Sequence, residues 1–521
     1  MTATDVPGWN FAEIWEHHAD RFPDALAQIH GDRTFTWAEF DRRADGIAAT
    51  LLAPGVRHQD KVAHYLYNCP EYLESMFGMF KAGLVPVNTN YRYNDDEIVY
   101  LWDNADAVAA VFHGAFAERC AALRDRLPGV RTWIWVDDGS GPCPDFAVPY
   151  ETAAASATER IVAPWGRSGD DIYMLYTGGT TGMPKGVMWR QRDLFGSLDA
   201  SSRTQLPDTP DWDALDARVS KPGPRNLPAA PLMHGTGAFN AMWNLALAGA
   251  IVTMEGRHFD PIELLDTVQR MSIVGDAFAK PVLRSLDAEP DRWDFSSMRV
   301  IISSGVMWSA ATKSGLLAHN DRLIMVDSLG SSEALGMANN TTSAQGAGAN
   351  ATFVLGPNAK VLTDDGREVV PGSGERGRVA LRGYMPLGYY KDPVKSASTF
   401  IEFEGTRWSI PGDFAEIDAD GTVRLLGRGS QCINTGGEKV YPEEVEEVLK
   451  MHPSVHDAAV VGLADERFGE TVNALVEPNP GAAIDEATLI SFVKEHLAAY
   501  KAPKRVFDVT SVNRAPNGKL D

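Results

Sequence analysis

The stretch Tyr176-Thr177-Gly178-Gly179-Thr180-Thr181-Gly182-Met183-Pro184-Lys185-Gly186 directly follows an apolar, strand-like segment, Tyr173 to Tyr176. Glycines let backbone N–H groups approach phosphate oxygens closely, threonine hydroxyls add hydrogen-bond donors, and a lysine adds a positive charge. The stretch is not a Walker A loop, because that motif has Gly before its lysine and Ser or Thr after it, whereas Pro184 and Gly186 flank Lys185. The pattern therefore predicts a loop that binds the phosphates of a nucleotide.

The composition is that of a folded, acidic protein. Hydrophobic residues make up 44% and charged residues 23% of the 521 positions, which is ordinary for globular chains, and the length predicts a large domain plus a small one. The formal net charge of −22 argues against nucleic acid or an anionic membrane as a partner, because both need a basic surface. A polyanionic ligand must then be bound by local lysines, arginines and backbone amides.

Cysteine spacing and hydropathy bear on the environment of the chain. Cys69, Cys120, Cys143 and Cys432 are far apart, so neither a disulfide framework nor a zinc site is expected. Residues 1–22 lack the basic and apolar regions of a signal peptide, and no run approaches the ~18 apolar residues that span a membrane. We therefore expect no transmembrane segment and a cytoplasmic location.

Strand-like and helix-like segments alternate along most of the chain. Apolar runs such as Val108 to Phe112 and Thr132 to Val136 alternate with helix-like runs such as Asp95 to Asn104. This alternation predicts an α/β fold with largely parallel sheets. The Asp-, Pro- and Gly-rich segment Pro207 to Arg225 interrupts the pattern, and we interpret it as a solvated surface insertion.

The pattern changes near Ser430. A helix that starts with proline, Pro442 to Met451, precedes strand-like segments and an amphipathic helix that opens at Asp485. We therefore predict two domains, residues 1–428 and residues 429–521, of which the second is a small α+β unit.

Several segments resemble, in the same order, the signature segments of the adenylate-forming superfamily. This superfamily includes acyl-CoA and aryl-CoA synthetases, peptide-synthetase adenylation domains and beetle luciferases. The glycine-rich stretch resembles its phosphate loop, and Asn513-Arg514-Ala515-Pro516-Asn517-Gly518-Lys519 resembles its closing segment. The resemblance implies a large N-terminal domain of parallel-rich α/β sheets with a β-rich subdomain, plus a small mobile C-terminal α+β domain.

The resemblance also assigns residues to the binding of ATP, Mg²⁺ and coenzyme A. Asp327-Ser328-Leu329-Gly330-Ser331-Ser332-Glu333 is similar to the family segment in which a glutamate binds Mg²⁺, so Glu333 would be the metal ligand. Ser304 and Gly305 would lie against the adenine, and Asp413 and Arg428 would contact the ribose. The residues expected to bind the nucleotide or coenzyme A are Thr177, Gly178, Gly179, Thr180, Thr181, Gly182, Lys185, Ser304, Gly305, Asp327, Ser328, Leu329, Gly330, Ser332, Asp413, Arg428, Gly436 and Gly437.

A second segment is expected to form the acyl pocket. Pro231-Leu232-Met233-His234-Gly235-Thr236-Gly237 resembles the family segment that approaches this pocket and begins a helix. The small residues Gly235, Gly237 and Ala238 would leave room for a bulky or branched acid. The residues expected to line the pocket are His234, Gly235, Ala238, Phe239, Trp243, Phe278, Val306 and Trp308.

The resemblance implies two half-reactions with catalytic roles for Lys519, Glu333 and Lys185. A substrate carboxylate attacks the α-phosphorus of ATP to give an acyl-adenylate and pyrophosphate, and an anionic nucleophile needs no general base. Lys519 would bridge the carboxylate and the α-phosphate oxygens. The small domain would then turn about Ser430, and the thiol of coenzyme A, passing Gly436 and Gly437, would attack the acyl carbonyl.

The expected substrate is a fatty or steroid side-chain acid. Val85 to Arg92 and Asn104 to Ala107 are most similar to segments of actinobacterial fatty-acyl and steroid side-chain CoA ligases. Three alternatives stay open: an aryl-CoA ligase, an adenylation domain that serves another acceptor, and a nucleotide-binding module without catalysis. Leu329 and Ser430, where the family often has other residues, suggest the last of these. The presence together of Lys185, Glu333, Asp413, Arg428 and Lys519 argues against it. The sequence also leaves a homodimer open.

Overall fold

The computed structural model describes residues 8–52, 55–179, 182–270, 273–274, 279–304, 310–346, 352–428, 433–435, 438–465, 469–497 and 499–513. The α-helices within these ranges are α1 (Phe11–Arg21), α2 (Trp37–Leu51), α3 (Pro70–Lys81), α4 (Asp95–Asn104), α5 (Ala117–Leu123), α6 (Tyr150–Ala154), α7 (Gln191–Asp199), α8 (Trp212–Arg218), α9 (Gly235–Ala246), α10 (Pro261–Arg270), α11 (Ala279–Ala288), α12 (Ala310–His319), α13 (Pro393–Thr399), α14 (Pro442–Lys450) and α15 (Glu486–His496).

Two sheets are rich in parallel pairs. The eight-stranded sheet contains, in spatial order, β19 (Gly388–Tyr389), β9 (Gly182–Arg190), β8 (Ile172–Gly179), β4 (Val85–Asn88), β3 (Lys61–Tyr65), β5 (Ala107–His113), β6 (Thr132–Val136) and β7 (Val148–Pro149). The N-terminal five-stranded sheet contains β12 (Ile273–Val274), β10 (Arg225–Asn226), β11 (Ala250–Thr253), β1 (Leu26–His30) and β2 (Arg33–Thr36). Helices cover these sheets, as parallel sheets require.

The other two sheets are largely antiparallel. The ten-stranded sheet contains β13 (Val300–Ser304), β14 (Ile324–Ser331), β15 (Ala334–Thr342), β16 (Thr352–Leu355), β23 (Val423–Arg428), β22 (Asp413–Ile417), β18 (Arg376–Leu381), β21 (Thr406–Ser409) and β20 (Phe400–Phe403), with β17 (Ala359–Leu362) beside β18. The C-terminal sheet contains β25 (Glu438–Val440), β24 (Ile433–Thr435), β27 (Gly469–Pro478) and β26 (Val455–Asp465), with β28 (Arg505–Asp508) beside β27.

The predicted fold class is confirmed. A large N-terminal domain combines parallel-rich α/β sheets with the ten-stranded sheet, and a small α+β domain follows it. The predicted helix Asp95 to Asn104 has the observed bounds of α4, and the Asn94 side chain accepts a hydrogen bond from the Glu97 backbone N–H at 3.0 Å to cap it. Residues 429–432 lie outside the described ranges, so the boundary after residue 428 stays a prediction. In the described part of the chain, no helix is both long and apolar enough to cross a membrane.

The segment from Pro207 to Arg225 is more ordered than its composition predicted. It contains α8, in which Leu215 is fully buried, and Trp212 packs edge-on against Trp9 with 5.3 Å between ring centroids. Asp216 forms an ion pair with Arg21 of α1 at 2.7 Å. The interpretation as a solvated insertion was therefore wrong for this helix, because one apolar face packs on the start of the chain.

A cluster of buried charges holds α1, α2 and α3 together. The Lys81 side chain is fully buried, and its ammonium nitrogen lies 2.7 Å from Glu16, 2.6 Å from Asp41 and 2.7 Å from Asp45. Burial raises the pKa of Glu16, but hydrogen bonds and positive charge from Arg167 and Lys81 outweigh burial and lower it overall. The ammonium group at the end of α3 therefore contacts carboxylates from both other helices, and Arg160 and Arg167 pair with two of these carboxylates as well.

His64 on β3 is buried in its neutral form. Its Nε2 hydrogen-bonds to the Ser75 hydroxyl oxygen at 2.8 Å, whereas Nδ1 has no partner among the described residues. Burial lowers the pKa of His64 from near 6.5 to about 3. Unfolding therefore takes up a proton below pH 6.5, so this residue makes the free energy of unfolding fall as the pH falls.

We expect the variant His64→Gln to remove this part of the pH dependence. For one such group, the free energy of unfolding falls by about 1.4 kcal/mol for each pH unit below 6.5. His64 should therefore lower the free energy of unfolding of the wild type by about 2 kcal/mol between pH 6.5 and pH 5. Glutamine keeps a donor for Ser75 but does not titrate. Urea unfolding of both proteins at pH 7 and pH 5 measures the difference, and equal losses in the two proteins would contradict the assignment.

Candidate active site

The glycine-rich stretch lies on two paired strands of a β-hairpin. Strands β8 and β9 pair antiparallel from Ile172 opposite Arg190 to Gly179 opposite Gly182, and Thr177 lies opposite Lys185. Thr177 and Lys185 of the predicted loop therefore lie on the two paired strands, opposite each other. Thr180 and Thr181, which were predicted to bind phosphate, lie outside the described residues.

Glycine at position 186 is explained by a neighbouring ring. Gly186 lies directly opposite Tyr176, and a Cβ atom added to it would come within 2.8 Å of the Tyr176 ring. Distances this short do not occur for real Cβ atoms, so a side chain there would displace Tyr176. Glycine at position 186 thus lets the Tyr176 ring lie across β9.

Asn88 joins the hairpin to the predicted acyl-pocket segment. Its side-chain amide donates to the Tyr176 carbonyl at 2.9 Å and to the Met233 carbonyl at 2.7 Å, and its oxygen accepts from the Tyr176 N–H at 2.6 Å. Asn88 is buried at the end of β4, next to β8. It therefore fixes the end of β8 relative to the residue before His234. Asn88 belongs to the segment Val85 to Arg92, but no local pattern indicates this linking role.

Lys185 contacts a carboxylate that the sequence analysis did not identify. Its ammonium group forms an ion pair with Asp392, and the Asp392 carboxylate also accepts a hydrogen bond from the Lys395 N–H at 2.9 Å at the start of α13. The hydrogen bond from Lys185 is the largest cause that lowers the pKa of Asp392. Lys185 is therefore paired with a carboxylate from a distant part of the chain.

Glu333 lies in the turn between β14 and β15, where three side chains hold the backbone and carboxylate. The Tyr389 hydroxyl donates to Glu333 Oε1 at 2.8 Å, and the Ser409 hydroxyl donates to the Glu333 carbonyl at 2.7 Å. The Trp189 indole N–H donates to the Ser332 carbonyl at 2.8 Å. Because Trp189 and Lys185 both belong to β9, the hairpin and the Glu333 turn lie side by side.

The residues expected at the adenine lie on adjacent strands. Strands β13 and β14 pair in parallel, with Ser304 opposite Ser328, and Leu329 packs half-buried against the core of the ten-stranded sheet. Asp327 is buried and forms an ion pair with Lys313 of α12, so its carboxylate is balanced within the protein. Gly330 and Ser332 follow in the same turn that leads to Glu333. Contact of these residues with a nucleotide stays a prediction.

The two residues expected at the ribose are cross-strand partners. Asp413 at the start of β22 lies opposite Arg428 at the end of β23 in the antiparallel pair. Asp413 is 7% exposed. Although the two residues are separated in the sequence, the ladder places them together at the end of the ten-stranded sheet that adjoins the small domain.

The small residues of the predicted acyl-pocket segment serve close packing. Gly235 is the first residue of α9, and a Cβ atom on it would lie 3.0 Å from Phe239 and 3.1 Å from Leu175. A Cβ atom on Gly237 would lie 2.5 Å from the Pro231 carbonyl oxygen, and Ala238 is fully buried. Neighbouring atoms thus already occupy the space that a side chain at Gly235 or Gly237 would take, and room for a bulky acid beside this segment stays a prediction.

The larger side chains of this segment lie at two places along α9. His234 precedes the helix as its N-cap residue, and the Phe239 ring meets the Tyr173 ring edge-on at 6.0 Å. Trp243 lies one turn further along, against Phe195 of α7. Phe239 thus lies beside β8 of the hairpin, whereas Trp243 packs against α7. Their role in substrate binding stays a prediction.

Several predicted site residues cannot be placed. Residues outside the described ranges are Thr180, Thr181, Phe278, Gly305, Val306, Trp308, Ser430, Gly436, Gly437 and Lys519. The side chain of Arg428 and the surroundings of Gly178, Gly179 and Gly182 are likewise not described. The arrangement that the structure does show comprises the hairpin with Lys185, the Glu333 turn, and the Asp413–Arg428 pair.

Comparison with known proteins agrees with this arrangement. Residues 15–390 match the family model of the AMP-binding enzyme, and residues 444–519 match the AMP-binding enzyme C-terminal domain. The chain is 40% identical to a medium/long-chain-fatty-acid–CoA/3-oxocholest-4-en-26-oate–CoA ligase of Mycobacterium tuberculosis, over 98% of this chain and 94% of that protein. It is 39% identical to a 3-oxocholest-4-en-26-oate–CoA ligase of Rhodococcus rhodochrous, with the same coverage.

Solved structures of related enzymes share the fold. ATP-bound MatB from Rhodopseudomonas palustris superposes with a TM-score of 0.80 at 26% identity, covering 98% of this chain and 97% of that one. The anthranilate CoA ligase AuaEII, solved with anthranoyl-AMP, gives a TM-score of 0.83 at 24% identity over 100% and 97% of the two chains. Together with the family matches over both domains, these likenesses establish that the chain belongs to the AMP-binding enzymes of the adenylate-forming superfamily.

Proposed function

We propose that this chain is an AMP-forming acyl-CoA synthetase, an acid–thiol ligase that activates a fatty or steroid side-chain carboxylic acid. The observation that carries the proposal is the convergence of two charged side chains on one place. Lys185 of the glycine-rich hairpin and Glu333 both contact the short segment from Tyr389 to Asp392. A cation and a carboxylate held together beside a phosphate loop suit the binding of a nucleotide triphosphate with its metal ion.

The substrate class rests on the relatives. Those at 39–40% identity over nearly the whole chain are named for medium- and long-chain fatty acids and for 3-oxocholest-4-en-26-oate. The anthranilate ligase, at 24% identity, supports the fold alone. We therefore favour a fatty or steroid side-chain acid over an aryl acid.

In the first half-reaction the substrate carboxylate attacks the α-phosphorus of ATP. The bond from this phosphorus to the β-phosphate bridging oxygen breaks, so pyrophosphate leaves and the acyl-adenylate forms. Lys185 leaves Asp392 to contact the phosphate oxygens, and its positive charge stabilises the leaving group. Lys519 bridges the carboxylate and the α-phosphate, and Asp413 with Arg428 holds the ribose.

Glu333 suits a magnesium ion that is bound mainly by the nucleotide. In the part of the chain that the structure describes, no group of three or more His, Cys, Asp or Glu side chains could hold a metal by itself. One carboxylate oxygen of Glu333 accepts the Tyr389 hydrogen bond, and the other is a hard oxygen ligand of the kind that Mg²⁺ prefers. Bound Mg²⁺ would supply positive charge to the phosphate oxygens.

In the second half-reaction the thiol of coenzyme A attacks the acyl carbonyl, the thioester forms, and AMP leaves. Rotation of the small domain near Ser430 withdraws Lys519, and Gly436 with Gly437 lets the pantetheine arm reach the adenylate. A cytoplasmic location and a homodimeric assembly complete the proposal and stay predictions.

Mass spectrometry of acyl-CoA products tests the proposed function. The protein is incubated with MgATP, coenzyme A and separate straight-chain fatty, steroid side-chain and aryl acids. We expect a thioester from the fatty or steroid acids together with pyrophosphate release. Pyrophosphate without thioester would indicate another acceptor, thioester from aryl acids alone would overturn the substrate class, and the absence of both products would favour a non-catalytic nucleotide-binding module.

A further inference from the structure

A five-residue segment, Gly388–Asp392, connects the two charged groups of the candidate site. It starts as β19, which pairs with β9 through Gly388 opposite Met188 and Tyr389 opposite Val187. The Tyr390 N–H also donates to the Gly186 carbonyl at 2.8 Å. The segment therefore runs beside the strand that carries Lys185. We call it the clamp segment.

The Tyr389 side chain is fixed before it reaches Glu333. It is 6% exposed, and its ring packs against Phe400 with 6.0 Å between centroids. Its backbone N–H donates to the Ser396 hydroxyl oxygen at 2.8 Å. The hydroxyl group is therefore held in one direction, and it donates to Glu333 Oε1 at 2.8 Å. A hydrogen bond from a fixed donor to a carboxylate, here in a half-buried position, is stronger than one between neutral groups.

The hydrogen bond constrains how Glu333 can bind a cation. A carboxylate has two oxygens, and a hydrogen bond from the Tyr389 hydroxyl to Oε1 fixes the plane of the group and leaves the second oxygen to bind an ion. The Ser409 hydroxyl holds the Glu333 carbonyl at 2.7 Å, so the backbone of this turn is fixed as well. Glu333 therefore needs little reordering when nucleotide and metal bind, which lowers the entropic cost of forming the site.

We propose that Tyr389 is a positioning residue of the phosphate site, which orients the Glu333 carboxylate for the metal ion that accompanies ATP. The proposal rests on the proposed function, since it assumes that this site binds a metal–nucleotide complex. The clamp segment thus contributes twice, because its other end brings Asp392 to Lys185. Tyr389 acts through Glu333 and contacts neither the nucleotide nor the acid.

Nucleotide binding with and without Mg²⁺ tests the proposal. The probe is α,β-methylene-ATP, which cannot be cleaved at the bond that adenylation breaks, and its dissociation constant is measured by calorimetry in Mg²⁺ and in EDTA. Loss of a hydrogen bond to a charged group predicts that Tyr389→Phe weakens binding in Mg²⁺ by about tenfold to a hundredfold. Binding in EDTA should stay within about twofold of the wild type, because Glu333 then has no ion to hold.

The double variant separates positioning from a general loss of structure. Glu333→Gln should weaken binding in Mg²⁺ at least as much as Tyr389→Phe, and the double variant should be no weaker than Glu333→Gln alone, because the two residues act as one unit. Additive losses would overturn the proposal. Tyr384→Phe is the matched control, since the Tyr384 hydroxyl also donates to a carboxylate, that of Asp208, outside this site. Its binding should equal that of the wild type.

The outcomes also separate this proposal from the proposed function. If the wild type shows no Mg²⁺-dependent binding of the analogue, the proposed function and the positioning role both fall. If the wild type shows Mg²⁺-dependent binding and Tyr389→Phe binds the analogue with the same dissociation constant, only the positioning role is wrong. A variant that weakens binding equally in Mg²⁺ and in EDTA would indicate a structural role for Tyr389 and would also overturn the proposal. Thermal unfolding confirms that each variant is folded.

Discussion

Replacement of Lys519 by alanine is expected to slow adenylate formation by at least about 10²–10³-fold, the usual loss when one charge-stabilising donor is removed from an active site. Lys519 lies outside the described residues, and its assignment comes from the segment Asn513 to Lys519, which resembles the closing segment of the superfamily. Its ammonium group would touch the carboxylate and the α-phosphate only while these two groups react. Pyrophosphate release in a single turnover measures this step.

The second half-reaction provides the internal control for Lys519→Ala. When preformed acyl-adenylate and coenzyme A are supplied, thioester formation should proceed at nearly the wild-type rate, because Lys519 is withdrawn in that step. Lys494→Ala, on the exposed face of α15, should leave both steps unchanged. If Lys519→Ala slowed both half-reactions equally, Lys519 would act in both of them. The small domain would then not withdraw this lysine before the second half-reaction.

Local sequence patterns predicted the α/β character of the fold, whereas the β-rich subdomain was implied only by the family resemblance. Apolar runs identified strands of the parallel sheets, and the helix-like run Asp95 to Asn104 has the observed bounds of α4. These signals act over a few residues, which is the range in which a sequence pattern is informative. That the glycine-rich stretch binds phosphate stays a prediction, and strand pairing extends further into it than the pattern indicated.

The contacts that organise the candidate site could not be predicted in the same way. Asp392 lies 207 residues from its partner Lys185, and Tyr389 lies 56 residues from Glu333. The Asp-Pro pair at 392–393 does predict a helix start, because a capping aspartate and a proline favour the first turn. Nothing in that local pattern indicates that the same carboxylate neutralises a lysine of the hairpin, since this depends on how β19 pairs with β9.

The burial of Lys81 with its three carboxylate partners could not be predicted from local sequence patterns either. Lys81 ends α3, where a cation commonly interacts favourably with the helix dipole and stays in solvent. In the structure its side chain is fully buried against Glu16, Asp41 and Asp45. The charged residues of α1 and α2 have the spacing of a solvated helix face, and packing of three helices decides that they meet in the interior instead.

Lys81→Met is expected to lower the free energy of unfolding of the large domain by about 3–5 kcal/mol, the usual cost of removing one partner from a buried ion pair. Methionine nearly preserves the length and apolar stem of lysine, so the main change is loss of the charge. Three carboxylates would remain close together, with Arg160 and Arg167 as their cations. Urea unfolding followed by tryptophan fluorescence measures the loss.

The size and pH dependence of this loss distinguish a buried network from an ordinary surface pair. Lys360→Met is the matched control, because Lys360 pairs with Glu368 at the surface, where the two side chains are 35% and 54% exposed, and such pairs contribute about 0–1 kcal/mol. Burial already raises the pKa of Asp45, whereas positive charge from Arg167 and Lys81 lowers that of Glu16, so loss of the Lys81 ammonium should raise the folded-state pKa values of both carboxyl groups. Because protonation then neutralises them more readily in the folded state, the deficit of Lys81→Met should shrink as the pH falls from 7 toward 5. A deficit that equals that of Lys360→Met, or that grows at lower pH, would show that Lys81 is not what balances these carboxylates.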